Sequence, residues 1–219
     1  MPRAHRYHLP GYVWHLTQRC HRQQFLLRFA RDRRRWVRWL GDARRRYGLC
    51  VLDYTVTSNH IHLLVRDQGR GEIAASLQLV AGRTGQTYNE RKQRHGAFWE
   101  DRYHATAVET GEHLARCVVY LDLNMVRAGV VAHPAQWAAG GYHEIQAARQ
   151  RYRLVDREAL AEALAVPVAR LASVHGEWIA EALRAGARHR RPAWSESVAV
   201  GGAEFVRRMK RRARGDARE

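Results

Sequence analysis

The sequence predicts an α+β fold of the ferredoxin-like, split β-α-β kind, with a basic helical extension at the C-terminus. Three observations predict it. Short aromatic or β-branched runs alternate with segments whose apolar residues recur at helical spacing through roughly the first 130 residues. The order of these segments is β-α-β-β-α-β-α, the split arrangement followed by one more helix. Beyond His133-Pro134 the character changes to Ala/Leu-rich and Arg-rich stretches with no strand pattern.

Taken in order, residues 12–18 (YVWHLTQ) read as the first strand. Phe29, Trp36, Leu40, Ala43 and Tyr47 mark the apolar face of a helix whose remaining surface carries eight arginines between Arg31 and Arg46. Residues 50–57 (CVLDYTVT) and 60–66 (HIHLLVR) flank a turn at Ser58-Asn59, as in a β-hairpin. Ile73, Leu77, Val80, Thr84 and Tyr88 mark a second helix, and residues 97–108 (AFWEDRYHATAV) a fourth strand. A third helix starts near Thr110, a candidate cap, and runs without interruption to Gly129, a candidate left-handed stop. In the extension, Asp156 is placed to cap a helix ending before Pro167, and a further helix covers about 169–184. The basic run Arg188-His189-Arg190-Arg191 and the terminal Arg207–Arg212 cluster read as positive segments, the latter as a frayed tail. We divide the chain into a domain of residues 1–142 and an extension of residues 143–219.

Charge narrows the partner. Lys plus Arg total 38 against 21 acidic residues, for a net charge of +17, and only Lys92 and Lys210 are lysines. Part of such an arginine excess reflects base composition and solvated surface. The rest points to a polyanion, because neutralised phosphates release counterions. No apolar run approaches the ~18 residues of a membrane span, and the N-terminus lacks the apolar segment of a secretory signal. Cys20, Cys50 and Cys117 form neither a disulfide framework nor a zinc pattern, which fits a reducing, cytoplasmic setting.

Two groups of residues carry candidate chemistry. In His60-Ile61-His62 both imidazoles emerge on one face of a strand, half of a divalent-metal site. A His-x-His pair is unremarkable in a chain with 13 histidines, so this alone decides nothing. Tyr120 and Asn124 lie one helical turn apart, about 40° around the axis, with Arg116 and Arg127 beside Tyr120. Together Tyr120 and Asn124 are a candidate second half of that site; a merely structural Tyr120 is the alternative. Asp53, Glu100 and Asp101 are candidates to orient an imidazole from behind. Tyr12, Trp14, Trp99 and Tyr103 are either core or stacking surfaces for unpaired bases.

These residues resemble a known family. Asn59 followed by His60-Ile61-His62 resembles the histidine–hydrophobic–histidine (HUH) signature of single-strand endonucleases. The segment 120–129 (YLDLNMVRAG) is similar to the Tyr-x-x-x-Asn-Pro-Val-[Arg/Lys]-x-Gly stretch of REP-associated tyrosine transposases, the single-tyrosine HUH transposases. Residues 98–103 (FWEDRY) and 15–19 (HLTQR) resemble two further motifs of that family, so the likeness runs from about Tyr7 to Tyr142. Met125 replaces the usual proline, and Cys20-His21 the common Gly-Asn.

The resemblance implies a metal-dependent single-stranded DNA transposase that cuts and rejoins at hairpin-forming palindromes through a 5′-phosphotyrosine. It implies Tyr120 as nucleophile and His60, His62 and Asn124 as holders of Mg²⁺ or Mn²⁺. The DNA-contacting set expected is Arg19, Arg31, Arg34, Arg35, Arg38, Trp99, Arg102, Tyr103, Arg116 and Arg127. Partners would be single-stranded DNA and DNA hairpins, with no membrane, for a monomer or homodimer in the nucleoid-associated cytoplasm of a bacterium. The extension is expected to add phosphate contacts while leaving the cleavage site to the first domain. Rival readings are a non-catalytic binder of structured DNA or RNA, such as a domesticated transposase acting as a repressor, and a relaxase or replication initiator.

Overall fold

In the computed structural model, residues 9–147, 151–186 and 192–215 are described; the basic run 188–191 and the start of the likeness near Tyr7 lie outside them. Four strands, β1 (Val13–Arg19), β2 (Cys50–Val56), β3 (His60–Arg66) and β4 (His104–Val108), form an antiparallel sheet with β1 and β3 at its centre. A two-residue strand from the extension, β5 (Ala199–Val200), adds in parallel to β4, giving the order β2-β3-β1-β4-β5. This is the predicted α+β fold, with one strand that no sequence pattern marked.

The two faces of the sheet differ in kind. Cross-strand partners share a face, so the register puts Leu16, Tyr54 and Leu63 together, and Ile61 beside Val56. Helices α1 (Ala30–Tyr47) and α2 (Glu72–Lys92) pack on each other and close this apolar side with Trp36, Leu40, Ile73, Leu77 and Val80. The other face carries Asp53, Thr55, His15, Thr17, His62 and Thr106, all buried. Helix α3 (Glu112–Asp122) lies over it, with Thr55 Oγ1 donating to the Leu121 carbonyl at 3.1 Å.

Four expectations need correction. The fourth strand is not continuous from Ala97: residues 98–100 bridge to 19–21 at the end of β1, residues 101–103 then leave the ladder, with Asp101 Oδ1 accepting from Arg102 N, and pairing resumes opposite 13–17. Phe29 is exposed, because it precedes α1 rather than facing the core. Gly111, not Thr110, precedes α3, and no side chain caps it. The helix predicted to reach Gly129 is broken at Leu123 (φ −77°, ψ 4°), and α4 (Asn124–Arg127) follows before Gly129 ends it at φ +68°.

The extension wraps the domain rather than trailing from it. Helix α5 (Tyr142–Gln146) sits at the β2 edge, where Gly141 approaches so closely that a Cβ would stand 2.2 Å from Asp53 Oδ1. Helix α6 (Arg157–Leu164) is capped by Asp156, whose side chain accepts from Ala159 N at 3.0 Å, as expected. Helices α7 (Leu171–Arg184) and α8 (Ala193–Glu196) follow. The terminal cluster is not frayed within the described residues: α9 (Ala203–Gly215) buries Phe205 and Met209 and leaves Arg207, Lys210 and Arg211 exposed.

Removing the Phe205 ring should therefore loosen α9. Phe205→Ala is expected to cost about 3 kcal/mol in chemical denaturation, and to open the arginine-rich helix to trypsin under native conditions.

Candidate active site

A cavity of about 340 Å³ opens at the polar face of the sheet, lined by Thr17, Arg19, Gln23, Asn59, His60, His62, Tyr120, Asn124, Arg127, Ala128 and Ser195. The two histidines arrive on β3. His62 stands opposite Thr17 and Thr55, so its ring projects under α3, while His60, at the strand's first residue, reaches the rim. The turn before β3 is tied by Thr57, whose hydroxyl accepts from the main-chain N–H of Asn59 and His60. Asn59 Oδ1 lies 2.7 Å from His60 Nδ1, so that nitrogen donates.

His62 is held on both sides. Its Nδ1 is 2.9 Å from His15 Nε2, and its Nε2 is 2.9 Å from the Asn124 side-chain amide. The rings of His60 and His62 stand edge-on at 4.9 Å between centres. Burial, then the neighbouring His60, His15, Arg127 and Arg19, hold the His62 imidazole well below its ordinary pKa, so it is neutral. His15, fully buried, is lowered to about 4 by the same desolvation.

Tyr120 comes from the last turn of α3. Its ring lies edge-on to His62 with centres 5.9 Å apart, and tilted against Trp194 of α8 at 6.0 Å. The Arg127 guanidinium sits 4.0 Å over the ring centre and donates to the Tyr120 main-chain carbonyl at 2.7 Å. Helix α4 begins two residues after the end of α3, across the break at Leu123. The intervening Asp122 is pinned by His175 of α7, which donates to its carboxylate at 2.7 Å. Tyr120 and Asn124 thus meet the same cavity across a break, not along one continuous helical face.

Tyr120, His60, His62, Asn124, Arg19 and Arg127 all line this cavity. Arg116 is exposed, pairs with Glu112, and lines a neighbouring cavity of about 610 Å³ that shares Tyr120 and Arg127 with the first. Arg31, Arg34, Arg35 and Arg38 are exposed on α1 and line neither cavity. Arg102 is exposed in the loop before β4. Tyr103 is buried, as is Trp14, and so presents no open face to a base; Trp99 is half-buried, with its indole N–H donating to the Ala81 carbonyl at 3.0 Å. Asp53 is not behind an imidazole. Its carboxyl is buried beside Asp122 and Glu144, which with desolvation pushes its pKa well up. Glu100 and Asp101 are exposed. His15, Trp194 and Ser195 went unnoticed in the sequence as site residues, and only His15, inside the HLTQR motif, carried any signal there.

Among the described residues no three His, Cys, Asp or Glu side chains gather as a metal cage. The donor set here is two imidazoles and an amide: imidazole nitrogen suits a transition ion and an amide oxygen suits Mn²⁺ or Mg²⁺, so the mixed set fits Mn²⁺ better than Mg²⁺. The His62 imidazole is neutral, which is the state a ligand needs.

Residues 11–122 match the family described as IS200-like transposases. The chain belongs to that family. In a comparison with solved structures, it superposes on a REP-associated tyrosine transposase bound to a REP hairpin with a TM-score of 0.54, 17% identity, and coverage of 66% of this chain and 85% of that one. That likeness shows a shared fold. No curated protein sequence matches significantly.

The buried imidazoles make stability depend on pH. The unfolded chain takes up protons near pH 6.5 that folded His15 refuses until about 4, so the contribution is complete above about 6.5 and is lost as pH falls toward 4. For His15 that span corresponds to about 3 kcal/mol. Asp53 acts in the opposite sense, so the measurement is a comparison. Between pH 7.5 and 4.5, the metal-free wild type should lose about 2–3 kcal/mol more stability than His15→Phe. Parallel pH curves would contradict the assignment.

Proposed function

We propose that the chain is a metal-dependent single-stranded DNA transposase that cuts and rejoins at hairpin-forming palindromic sequences. The observation that carries this is the gathering of His60, His62, Asn124 and Tyr120, from β3, α4 and α3, on one cavity walled by Arg19 and Arg127. Membership of the IS200-like transposases supports the reaction class. The hairpin as substrate is supported by the fold-mate's bound REP hairpin and by the +17 net charge of this chain.

In this reading Tyr120 attacks the scissile phosphorus, the bond from phosphorus to the 3′ oxygen breaks, and the products are a 5′-phosphotyrosine and a 3′-hydroxyl. The ester on Tyr120 conserves the bond energy, so the reverse attack rejoins strands without an external energy source. His60, His62 and Asn124 hold the divalent ion, which when bound neutralises charge on the phosphate. Arg127, over the Tyr120 ring, favours the phenolate as it forms and steadies the nucleophile through the Tyr120 carbonyl. Residues 1–142 form the catalytic domain and residues 143–219 buttress it. Arg31, Arg34, Arg35 and Arg38 carry part of the non-specific affinity for the phosphates of a longer substrate. We place the protein, as monomer or homodimer, in the nucleoid-associated cytoplasm.

Incubation with a labelled single-stranded hairpin and Mg²⁺ or Mn²⁺ should yield a covalent protein–DNA adduct. Tyr120→Phe should fold and bind the hairpin but form no adduct, and His62→Ala should abolish metal-dependent cleavage. A wild type that binds hairpins but never forms an adduct, with any divalent ion, would favour the repressor reading instead. Converting Arg31, Arg34, Arg35 and Arg38 to Gln should flatten the slope of log K against log salt by about 2–3, at ~0.7 per lost phosphate contact. An unchanged slope would remove α1 from the DNA path.

A further inference from the structure

His15 lies at the middle of β1, wholly buried, with no place in the nucleophile or ligand set above. Its ring stacks on His62 with centres 5.0 Å apart and planes 18° from parallel. Its Nδ1 is 2.6 Å from the main-chain carbonyl of Trp194, in α8 of the extension, and its Nε2 is 2.9 Å from His62 Nδ1.

These contacts fix the direction of every hydrogen bond in the row. A carbonyl oxygen only accepts, so His15 Nδ1 carries the proton. A buried, uncharged imidazole has one N–H, so His15 Nε2 presents its lone pair to His62. His62 Nδ1 must then donate, and its Nε2 carries the lone pair toward Asn124 and the cavity. The opposite order would set a His15 lone pair against the Trp194 oxygen and put a proton on the nitrogen that faces the cavity.

We propose that His15, anchored by the Trp194 carbonyl, is a positioning residue that locks His62 in the Nδ1-protonated tautomer and aims its Nε2 lone pair at the metal position. The metal half of this statement rests on the proposed function; the tautomer half does not. The extension thereby becomes part of the site, because the first acceptor in the row belongs to residue 194. Partners of this kind behind a ligating histidine typically set metal affinity by 10–100-fold.

The test is nitrogen-15 NMR of the imidazoles in the full-length, metal-free protein at pH 7.5, joined to Mn²⁺ titration calorimetry. Wild type should show His62 protonated at Nδ1 and unprotonated at Nε2; the reverse pattern overturns the proposal without any variant being made. His15→Phe should release that preference and weaken Mn²⁺ binding by 10–100-fold, with hairpin affinity in EDTA unchanged. His15→Gln, whose amide both donates and accepts, should recover part of the Mn²⁺ affinity. Should His15→Phe fold poorly, the wild-type spectrum and the Gln variant still decide. Mn²⁺ affinity equal in wild type and His15→Phe overturns the role of His15. Mn²⁺ affinity equal in wild type and His62→Ala instead overturns the metal reading of the site, and the spectrum then judges the tautomer row by itself.

Discussion

A buried imidazole is tolerated only when its N–H and its lone pair both find partners, and His62 meets that demand inside a protein-wide row. Its donor side reaches His15, and through it the chain at Trp194; its acceptor side reaches Asn124. Much of the molecule is arranged around that constraint. The sheet gives one face to apolar packing under α1 and α2, so that the opposite face can hold Asp53, Thr55, His15, Thr17 and His62 beneath α3. A polar face of this kind would be costly without a cover that supplies hydrogen bonds. Helix α3, the break after it, and the extension supply them.

The break at Leu123 illustrates how one local departure serves several needs. A helix end leaves carbonyls without intrahelical donors. At the end of α3 the Tyr120 carbonyl accepts from Arg127, and the Leu121 carbonyl accepts from Thr55. From α4 the same guanidinium that satisfies the Tyr120 carbonyl also covers the Tyr120 ring. Burial lowers the Arg127 pKa from its very high ordinary value, and contact with Tyr120 raises it again, so the group stays a cation in a largely enclosed position. Met125 follows the break as a buried residue, so α4 is held in place by packing as well as by Arg127.

Local patterns made the strands and helices of the first domain legible. The alternation in 60–66 and the apolar spacing of Trp36, Leu40 and Ala43 are properties of a few neighbouring residues. His60, His62, Tyr120 and Asn124 were legible because they sit in short motifs. What escaped was long-range or compensatory. The pairing of Ala199–Val200 with β4 is too short to leave a period. The bond from His15 to Trp194 spans 179 positions. The stretch 97–103 has strand composition, and residues 98–100 do bridge to 19–21, with Glu100 N donating to the Arg19 carbonyl; the ladder then breaks, and the Asp101 carbonyl accepts from the Gln18 side chain. Buried Tyr103 and exposed Phe29 show the same limit, since residue type does not say which side a loop presents.

The family match ends at residue 122, but Asn124, Arg127, Ala128 and Ser195 on the cavity wall all lie beyond it. The matched part supplies the imidazoles and the tyrosine; what closes around them comes from later in the chain. Three contacts bind the two parts at depth: Gly141 against Asp53, His175 to Asp122, and Trp194 to His15. The last two join the polar side of the sheet, or the helix covering it, to the extension through hydrogen bonds that these buried groups would otherwise need from water. An appendage that only added positive charge would leave that face intact when removed. Here its removal would strip hydrogen-bond partners from His15 and Asp122 together and take Ser195 from the cavity wall, so the extension is a structural partner of the buried polar face rather than a tail beside it.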